Sequence, residues 1–276
     1  MASVSVPAAR TGMRSRRSAR GARKVVLGIV GLVGFLVTWQ LIPTLGIVSP
    51  QYLPYATEVL AQLVDEMRDV EFWRNVGRTM TSWGLGLLIA TVLAVVLGTI
   101  IGLVPFLRRA THTTVEFLRP IPSVALIPLA ILLFGFQLQA ALLIIVYASF
   151  WQVFVQVLYG VADVDTVARD TARSFGLTRS SRFRNLVLPT ALPYIMTGVR
   201  LAAAVALILA VTAELVMGIP GIGQQIVYAR TAGDWTTVYV YVVVAGLLGL
   251  AVNLVFRLIE RRSLSWHQSV RGEEVL

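Results

Sequence analysis

Apolar residues run along this chain in long blocks separated by short polar intervals. A helix needs about 20 apolar residues to cross the hydrocarbon core of a bilayer, which is about 30 Å thick. Blocks of that kind occupy Val25–Ile42, Ser82–Pro105, Ala140–Gly160, Leu192–Val216 and Val238–Ile259. A sixth, Phe117–Phe136, is interrupted by Pro120, Pro122 and Pro128. Prolines at membrane depth are tolerated where neighbouring helices or water satisfy the freed backbone groups, so this block counts as a sixth span with a distorted start. The pattern predicts an all-α integral membrane protein with six transmembrane helices. It divides into a tail (1–24), a first span (25–42), an external segment (43–77), a core (78–260) that includes the loop 160–191, and a second tail (261–276).

Two of the polar intervals carry helix signals of their own. After Pro54, Thr57 is a candidate N-cap with Glu58 in the first turn, and Val59, Leu60, Leu63, Val64 and Met67 repeat at helical spacing. This predicts a helix that lies on the outer membrane surface or caps the bundle. In the loop 160–191, Asp163 or Asp165 caps a helix that runs to Phe175, and Gly176 suits the left-handed position that ends one. Val164, Val167, Ala168, Thr171, Ala172 and Phe175 form an apolar or small face, with Arg169, Asp170 and Arg173 beside it. Thr178 or Ser180 caps a second short helix with Phe183, Leu186 and Val187 on its inner side, and Pro189 and Pro193 mark the return to the membrane. Plain helix–helix connections take about 2–8 residues. A capped helix with an apolar knob ringed by charge is instead a surface that docks in a groove on another protein.

Composition supports the bilayer as solvent: 57% of the 276 residues are hydrophobic and 14% charged, against about a quarter charged in soluble domains. The net charge of +10 raises nucleic acid as a partner, but the basic residues sit at the ends of apolar blocks, where membrane orientation is set. With six spans, 20 of the 24 basic residues fall on one side; Arg68, Arg74, Arg78 and Arg230 fall on the other, with six acids. Basic loops stay inside, so both termini are expected in the cytoplasm. The run Val25–Ile42 exceeds a signal-peptide core and no small-residue cleavage pattern follows it. There is no cysteine, and His112 and His267 lie far apart, each a solvated residue beside a membrane end. Trp39, Trp73, Trp83, Trp151, Trp235 and Trp266 mostly sit near the ends of the proposed spans, as an aromatic belt predicts. Gly98 and Gly102 allow close approach of another helix; Gly84 and Gly86 point to no particular interface.

The stretch "DTARSFGLTRSSRFRNLVLP" resembles the EAA loop of ABC-importer permeases: Glu-Ala-Ala, three residues, Gly, nine residues, an aliphatic, any residue, Leu-Pro. The matching positions are Asp170, Thr171, Ala172, Gly176, Leu186, Leu188 and Pro189, with Asp170 standing for Glu and Thr171 for the first Ala. "LRPIPSVALIPLAILLFGF", "ALPYIMTGVRLA", Ala213-Glu214 and, in part, "YLPYATEVL" are similar to the nitrate/sulfonate/taurine branch. The resemblance spans most of residues 50–260. It implies a type I ABC-importer permease fold with a cytoplasmic coupling helix, in which Arg173 and Phe175 join the matched positions at the ATPase. It also implies two copies of a cytoplasmic ATPase, a second permease copy in a homodimer, and an extracytoplasmic substrate-binding protein that delivers a small anion such as an aliphatic sulfonate, taurine or nitrate. A vitamin precursor or an aromatic acid is the alternative cargo.

The chain has no G-x-x-x-x-G-K-[ST] pattern around Lys24, its only lysine. It is therefore expected to be a non-catalytic subunit with no cofactor of its own, ATP and Mg being held by the partner. An ATP-independent secondary transporter or channel would call for inverted repeats and several midplane charges, and an intramembrane protease for H-E-x-x-H. The chain shows none of these. Glu214 is the one acid placed within an apolar span, where acids are costly and functional by default; it reaches the interface, caps the turn before "GIPGIG", or serves a gate. Arg200 either snorkels to the cytoplasmic surface or faces anionic cargo. Pro122 and Pro128 are further candidates for the path. "MGIPGIGQQI" reads as an external turn and the start of a re-entrant segment, and Gln137 and Gln139 as part of a tight external turn.

Overall fold

The computed structural model describes residues 12–263, with side chains from residue 26 onward. The outer parts of both tails, with Trp266 and His267, lie outside the described residues. All regular structure among the described residues is helical.

The first helix, α1 (Gly12–Thr44), stands at the edge of the molecule. Val30 and Phe35 are each more than 60% exposed, as expected of side chains that face lipid. It is held mainly at its far end, where Trp39 Nε1 donates to the Pro54 carbonyl at 3.1 Å and Gln40 Oε1 accepts from Thr57 N at 3.2 Å. Thr57 is therefore not the cap of the next helix. That helix, α2 (Ala56–Glu66), follows Tyr55 with no side-chain cap. Its expected apolar face is split: Ala56, Val59 and Leu63 are buried, whereas Leu60, Val64 and Met67 are exposed. The buried row meets Phe72, Tyr241 and Val244, so α2 caps the bundle. Gln62 Nε2 donates to Thr237 Oγ1 at 2.6 Å and the Tyr241 hydroxyl to Glu66 Oε2 at 3.2 Å, which secures it there.

Helix α3 (Val70–Leu103) starts well before Ser82, because the Asp69 side chain caps it by accepting from Glu71 N at 2.9 Å. Its 34 residues make about 51 Å at 1.5 Å per residue. Every fourth residue from Gly86 is small: Gly86, Ala90, Ala94, Gly98 and Gly102. This row lies on α6 (Leu138–Ala162). A Cβ on Gly98 would sit 2.9 Å from Val157 Cγ1, one on Gly102 3.0 Å from Val161 Cγ1, and one on Gly86 would overlap Ile145. Gly86 thus belongs to the interface, although its sequence context did not single it out. The other side of α6 meets α9 (Leu188–Met217) in the same way: Gly160 abuts Ala191, Gly198 abuts Val153, and Ala202, Ala203, Ala206 and Ala210 are fully buried. Small residues let membrane helices approach until backbones nearly touch. Trp151 lies mid-helix in this core at 9% exposure, so it is a packing residue and not part of an interfacial belt.

The sixth span departs from expectation. Residues 117–136 do not form one distorted helix. The amphipathic α4 (Pro105–Leu118) ends before the Pro120–Pro122 turn, and a short 3₁₀ turn (Ser123–Leu126) leads into α5 (Ile127–Phe134), the two halves meeting at 83°. Pro122 is the extended residue before the second half, and Pro128 sits in the first turn of α5, where its missing N–H costs nothing. The 12 residues of the second half cover about 20 Å, short of a full crossing. Five helices are long and apolar enough to span, and the bent pair makes a broken sixth.

The end of the bundle capped by α2 closes with α10 (Ile222–Ala232), after which α11 (Trp235–Ser263) runs back along α9 and α2. A methyl group on Gly86 or Gly98 has to displace β-branched side chains of α6. Gly86→Ala and Gly98→Ala are each expected to destabilise the chain by about 1–3 kcal/mol. Gly77→Ala, which meets open space, is expected to change stability by less than about 1 kcal/mol. Unfolding followed by tryptophan fluorescence in detergent checks this; equal effects at the three positions would remove close approach as the basis of the α3–α6 contact.

Candidate functional site

Two places combine polar chemistry with defined geometry, one at each end of the bundle. The first is the loop between α6 and α9. Asp165 begins α7 (Thr166–Ser174), its Oδ1 accepting from Val167 N at 2.6 Å and Ala168 N at 3.1 Å. At the other end Gly176 adopts φ +70°, Gly176 N donates to the Arg173 carbonyl at 2.9 Å and Leu177 N to the Ala172 carbonyl at 3.0 Å. This is the Schellman arrangement, in which a residue without Cβ satisfies the last carbonyls of a helix. Asp163 ends α6 and does not cap α7.

Val167 and Phe175 are 72% and 79% exposed, and Thr171 between them is exposed as well. These three residues are spaced by four, so they form one row along α7. Asp170 lies to one side of it and is 3.3 Å from Arg173, which stands on the opposite face of the helix; Ala172 is half-buried. Leu186, Leu188 and Pro189 do not join this row. The expected second helix is not a separate unit. Thr178 caps α8 (Arg179–Arg182), its hydroxyl accepting from Ser181 N at 3.2 Å, and a π-helical turn (Phe183–Val187) carries the chain directly into α9. Pro189 falls in the first turn of α9, just after the widened turn, and wider turns relieve the clash a proline makes with the preceding turn. One continuous helical run therefore extends from Arg179 to Met217, with Leu186 packed on the core. Leu188 and Pro189 lie at the joint.

The second place surrounds Glu214, near the opposite end of α9. Its side chain is fully buried, which excludes a reach to the membrane interface. Glu214 Oε2 accepts from the Thr79 hydroxyl at 2.9 Å and from Gly223 N at 2.9 Å, and Thr79 Oγ1 accepts from Ile222 N at 3.0 Å. The first two N–H groups of α10 have no partner within their own helix and are met here by α9 and α3. The carboxylate also lies at the positive end of the α10 dipole. The glycines of "GIPGIG" make this approach possible: a Cβ on Gly223 would lie 2.5 Å from the Val211 carbonyl, and one on Gly221 would overlap the Glu214 carboxylate. Gly218, at φ +67°, closes α9. The segment is thus a turn and a helix start sealed against α9. Glu214 Oε1 and the neighbouring Asn75 Nδ2 are buried with no hydrogen-bond partner among the described residues.

Thr79 was not singled out by sequence. The signal existed: Asn75, Thr79 and Ser82 recur at four and three residues just ahead of an apolar block, and all three are buried. Arg200 pairs with α11, its Nη1 2.9 Å from Glu260 Oε2, and its side chain stays 40% exposed. Pro122 and Pro128 stay at the break of the bent pair, far in sequence from both places. Gln137 precedes α6 and Gln139 lies within its first turn.

Thr79→Val leaves the Ile222 N–H unpaired, and Glu214→Ala leaves that of Gly223. Each is expected to cost about 1–3 kcal/mol. Because both act on one network, the double variant is expected to cost at least about 0.5 kcal/mol less than the two together. Unfolding of the four proteins in detergent measures the coupling, and strict additivity would show that the two side chains act independently.

Residues 90–264 match the family described as binding-protein-dependent transport system inner membrane component. The chain is 30% identical over 256 residues to the taurine transport system permease protein TauC of Escherichia coli, covering 90% of this chain and 92% of that protein. It is 28% identical over 239 residues to the bicarbonate transport system permease protein CmpB of Synechococcus elongatus, covering 83% and 86%. Among solved structures, an inward-facing form of the MetNI methionine ABC transporter superposes with a TM-score of 0.61 over 70% of this chain and 95% of that one, at 19% identity. The loop, the bundle and these likenesses agree: the chain belongs to the inner membrane component family of binding-protein-dependent transport systems.

Proposed function

We propose that this chain is the permease subunit of an ATP-driven importer for a small anion of the aliphatic sulfonate, taurine or nitrate type, and that α7 is the handle by which a cytoplasmic ATPase moves it. The observation that carries this reading is the exposed row Val167–Thr171–Phe175 on a helix capped at both ends and held between two spans. An apolar row left in water on a rigid helix is a helix-in-groove anchor. The continuous run Arg179–Met217 supports a mechanical link, since its 39 residues extend about 58 Å from the loop to just past Glu214. A tilt imposed on α7 passes along it as a rigid-body movement, and the Glu214–Thr79 knot and the Arg200–Glu260 pair transmit it to α10, α3 and α11.

In this reading two permease copies pair as a homodimer around the path, two ATPase copies hold ATP and Mg, and a substrate-binding protein delivers cargo at the end closed by α2 and α10. The termini and the α7 loop face the cytoplasm, supported by the 20 basic residues assigned to that side. The anionic cargo is inferred from the relatives for taurine and bicarbonate, whose named substrates both carry a compact oxyanion group.

Phe175→Ala removes the largest anchor of the row without touching the buried core. It is expected to leave insertion and yield unchanged while lowering recovery of the co-purified ATPase at least about tenfold, the loss typical of an interface hot spot. Val64→Ala on α2 is expected to change neither. Full ATPase recovery with Phe175→Ala would refute α7 as the handle.

A further inference from the structure

Behind α7, on the side away from the exposed row, lies a cavity of about 730 Å³ lined by Arg169, Arg173, Arg179 and Arg182 and walled by Leu103–Pro105 and Phe183. At 3.6 residues per turn, Arg169 and Arg173 project about 180° from the mean direction of Val167, Thr171 and Phe175. One helix therefore presents an apolar row outward and a basic row inward. Among the described residues only Arg173 of the four has a carboxylate partner, Asp170. Arg182 Nε is buried without a hydrogen-bond partner. Four guanidinium groups converging on one cavity repel each other unless an anion joins them, and their planar forks match phosphate oxygens.

The wall identifies the source of the phosphate. Leu103 ends the span α3 and Pro105 begins the amphipathic α4, so the cavity opens where the apolar bundle gives way to polar surface. Leu103 and Val104 are about 40% exposed and continue into the outer apolar surface of α3. Phe106 and Phe117 stand out from α4 at more than 70% exposure, and Arg108 and Arg109 lie between them in sequence. That is the composition of a helix lying in the membrane interface. A free phosphate would use the arginines and leave the apolar wall in water; a phospholipid uses both. We propose that this cavity is a binding site for the headgroup of an anionic phospholipid, its acyl chains running down Leu103 and Val104. Basic pockets between spans on the inner side are suited to such headgroups. The site rests on the cytoplasmic placement of this loop proposed above, but not on the docking of an ATPase. Because the two faces of α7 are opposed, lipid and protein partner occupy it together, and the lipid braces the handle from behind.

The test is native mass spectrometry of the delipidated full chain in detergent, titrated with dioleoyl phosphatidylglycerol, dioleoyl phosphatidylcholine or inorganic phosphate. Phosphatidylglycerol is expected to bind at least about tenfold more tightly than phosphatidylcholine, a difference of about 1.4 kcal/mol, and to resist millimolar phosphate. Arg169→Gln with Arg182→Gln is expected to abolish the preference, Arg169→Lys with Arg182→Lys to retain much of it, and Arg257→Gln, outside the cavity, to leave it intact. Equal binding of the two lipids by the unaltered chain overturns the proposal whatever the variants do. So does displacement by phosphate, which would mark a free-anion site. Undiminished phosphatidylglycerol binding by the glutamine pair, with loss of the co-purified ATPase, would assign these arginines to the protein partner instead. Loss of ATPase with Phe175→Ala leaves the lipid result untouched, so the two readings fail separately.

Discussion

The architecture depends on how closely α6 can be approached. Between helices in lipid there is little hydrophobic driving force, since the tails are as apolar as the side chains, and association rests on van der Waals packing. The chain meets this with two small-residue rows, Gly86 to Gly102 on α3 and Gly198 to Ala210 on α9, that flank α6 from two sides. Phe154, Ile144, Ile145 and Val157 of α6 are almost wholly enclosed as a result. With α3 and α9 set against one central helix, their ends are fixed, and α2, α10 and the loop 160–191 take positions dictated by those ends. α1, whose Gly28, Gly31 and Gly34 meet nothing within 4 Å, remains peripheral and turns its apolar side chains outward.

Within this apolar frame the few polar contacts act as fasteners. Glu214, Thr79 and the first amides of α10 tie three helices at one end; Arg200 and Glu260 tie α9 to α11 nearer the other. Each joins elements far apart in sequence, and the fully buried Glu214–Thr79 contact would be costly to leave half made, because a buried polar group without a partner retains its full desolvation penalty. Glu214 Oε1 and Asn75 Nδ2 have no hydrogen-bond partner among the described residues.

α9 connects these features. It begins without interruption from the loop that carries α7, passes the small-residue row against α6, holds Arg200 on the way, and ends at Glu214. The π-helical turn just before Pro189 lets a proline enter a helix without ending it, so the loop and the far end stay mechanically joined. The same loop presents opposite chemistries on the two sides of α7, an apolar row outward and arginines toward the bundle. This suits an element held between a partner and the membrane surface.

Much of this was legible in the chain itself. Runs of apolar residues long enough to cross a bilayer, the caps at Asp165 and Thr178, and the left-handed turn at Gly176 follow from local chemistry and spacing, because lipid forces every backbone group to be paired within its own helix. What lay beyond sequence was decided by contacts between distant segments. Thr57 satisfies the sequence rule for a cap, yet Gln40 of a different helix takes its amide; Pro189 reads as a break, yet a widened turn absorbs it; Phe117–Phe136 has the composition of a span, yet the turn at Pro120–Pro122 folds it nearly at a right angle. Glu214 and Arg200 stood out as charges, but their partners Thr79 and Glu260 lie 135 and 60 residues away. Local sequence determined which segments become helices and where most of them are capped. Only the tertiary structure decided which small residues touch, which polar groups meet, and which face of α7 is left open, because those outcomes depend on the distance between helices and not on the order of residues within one.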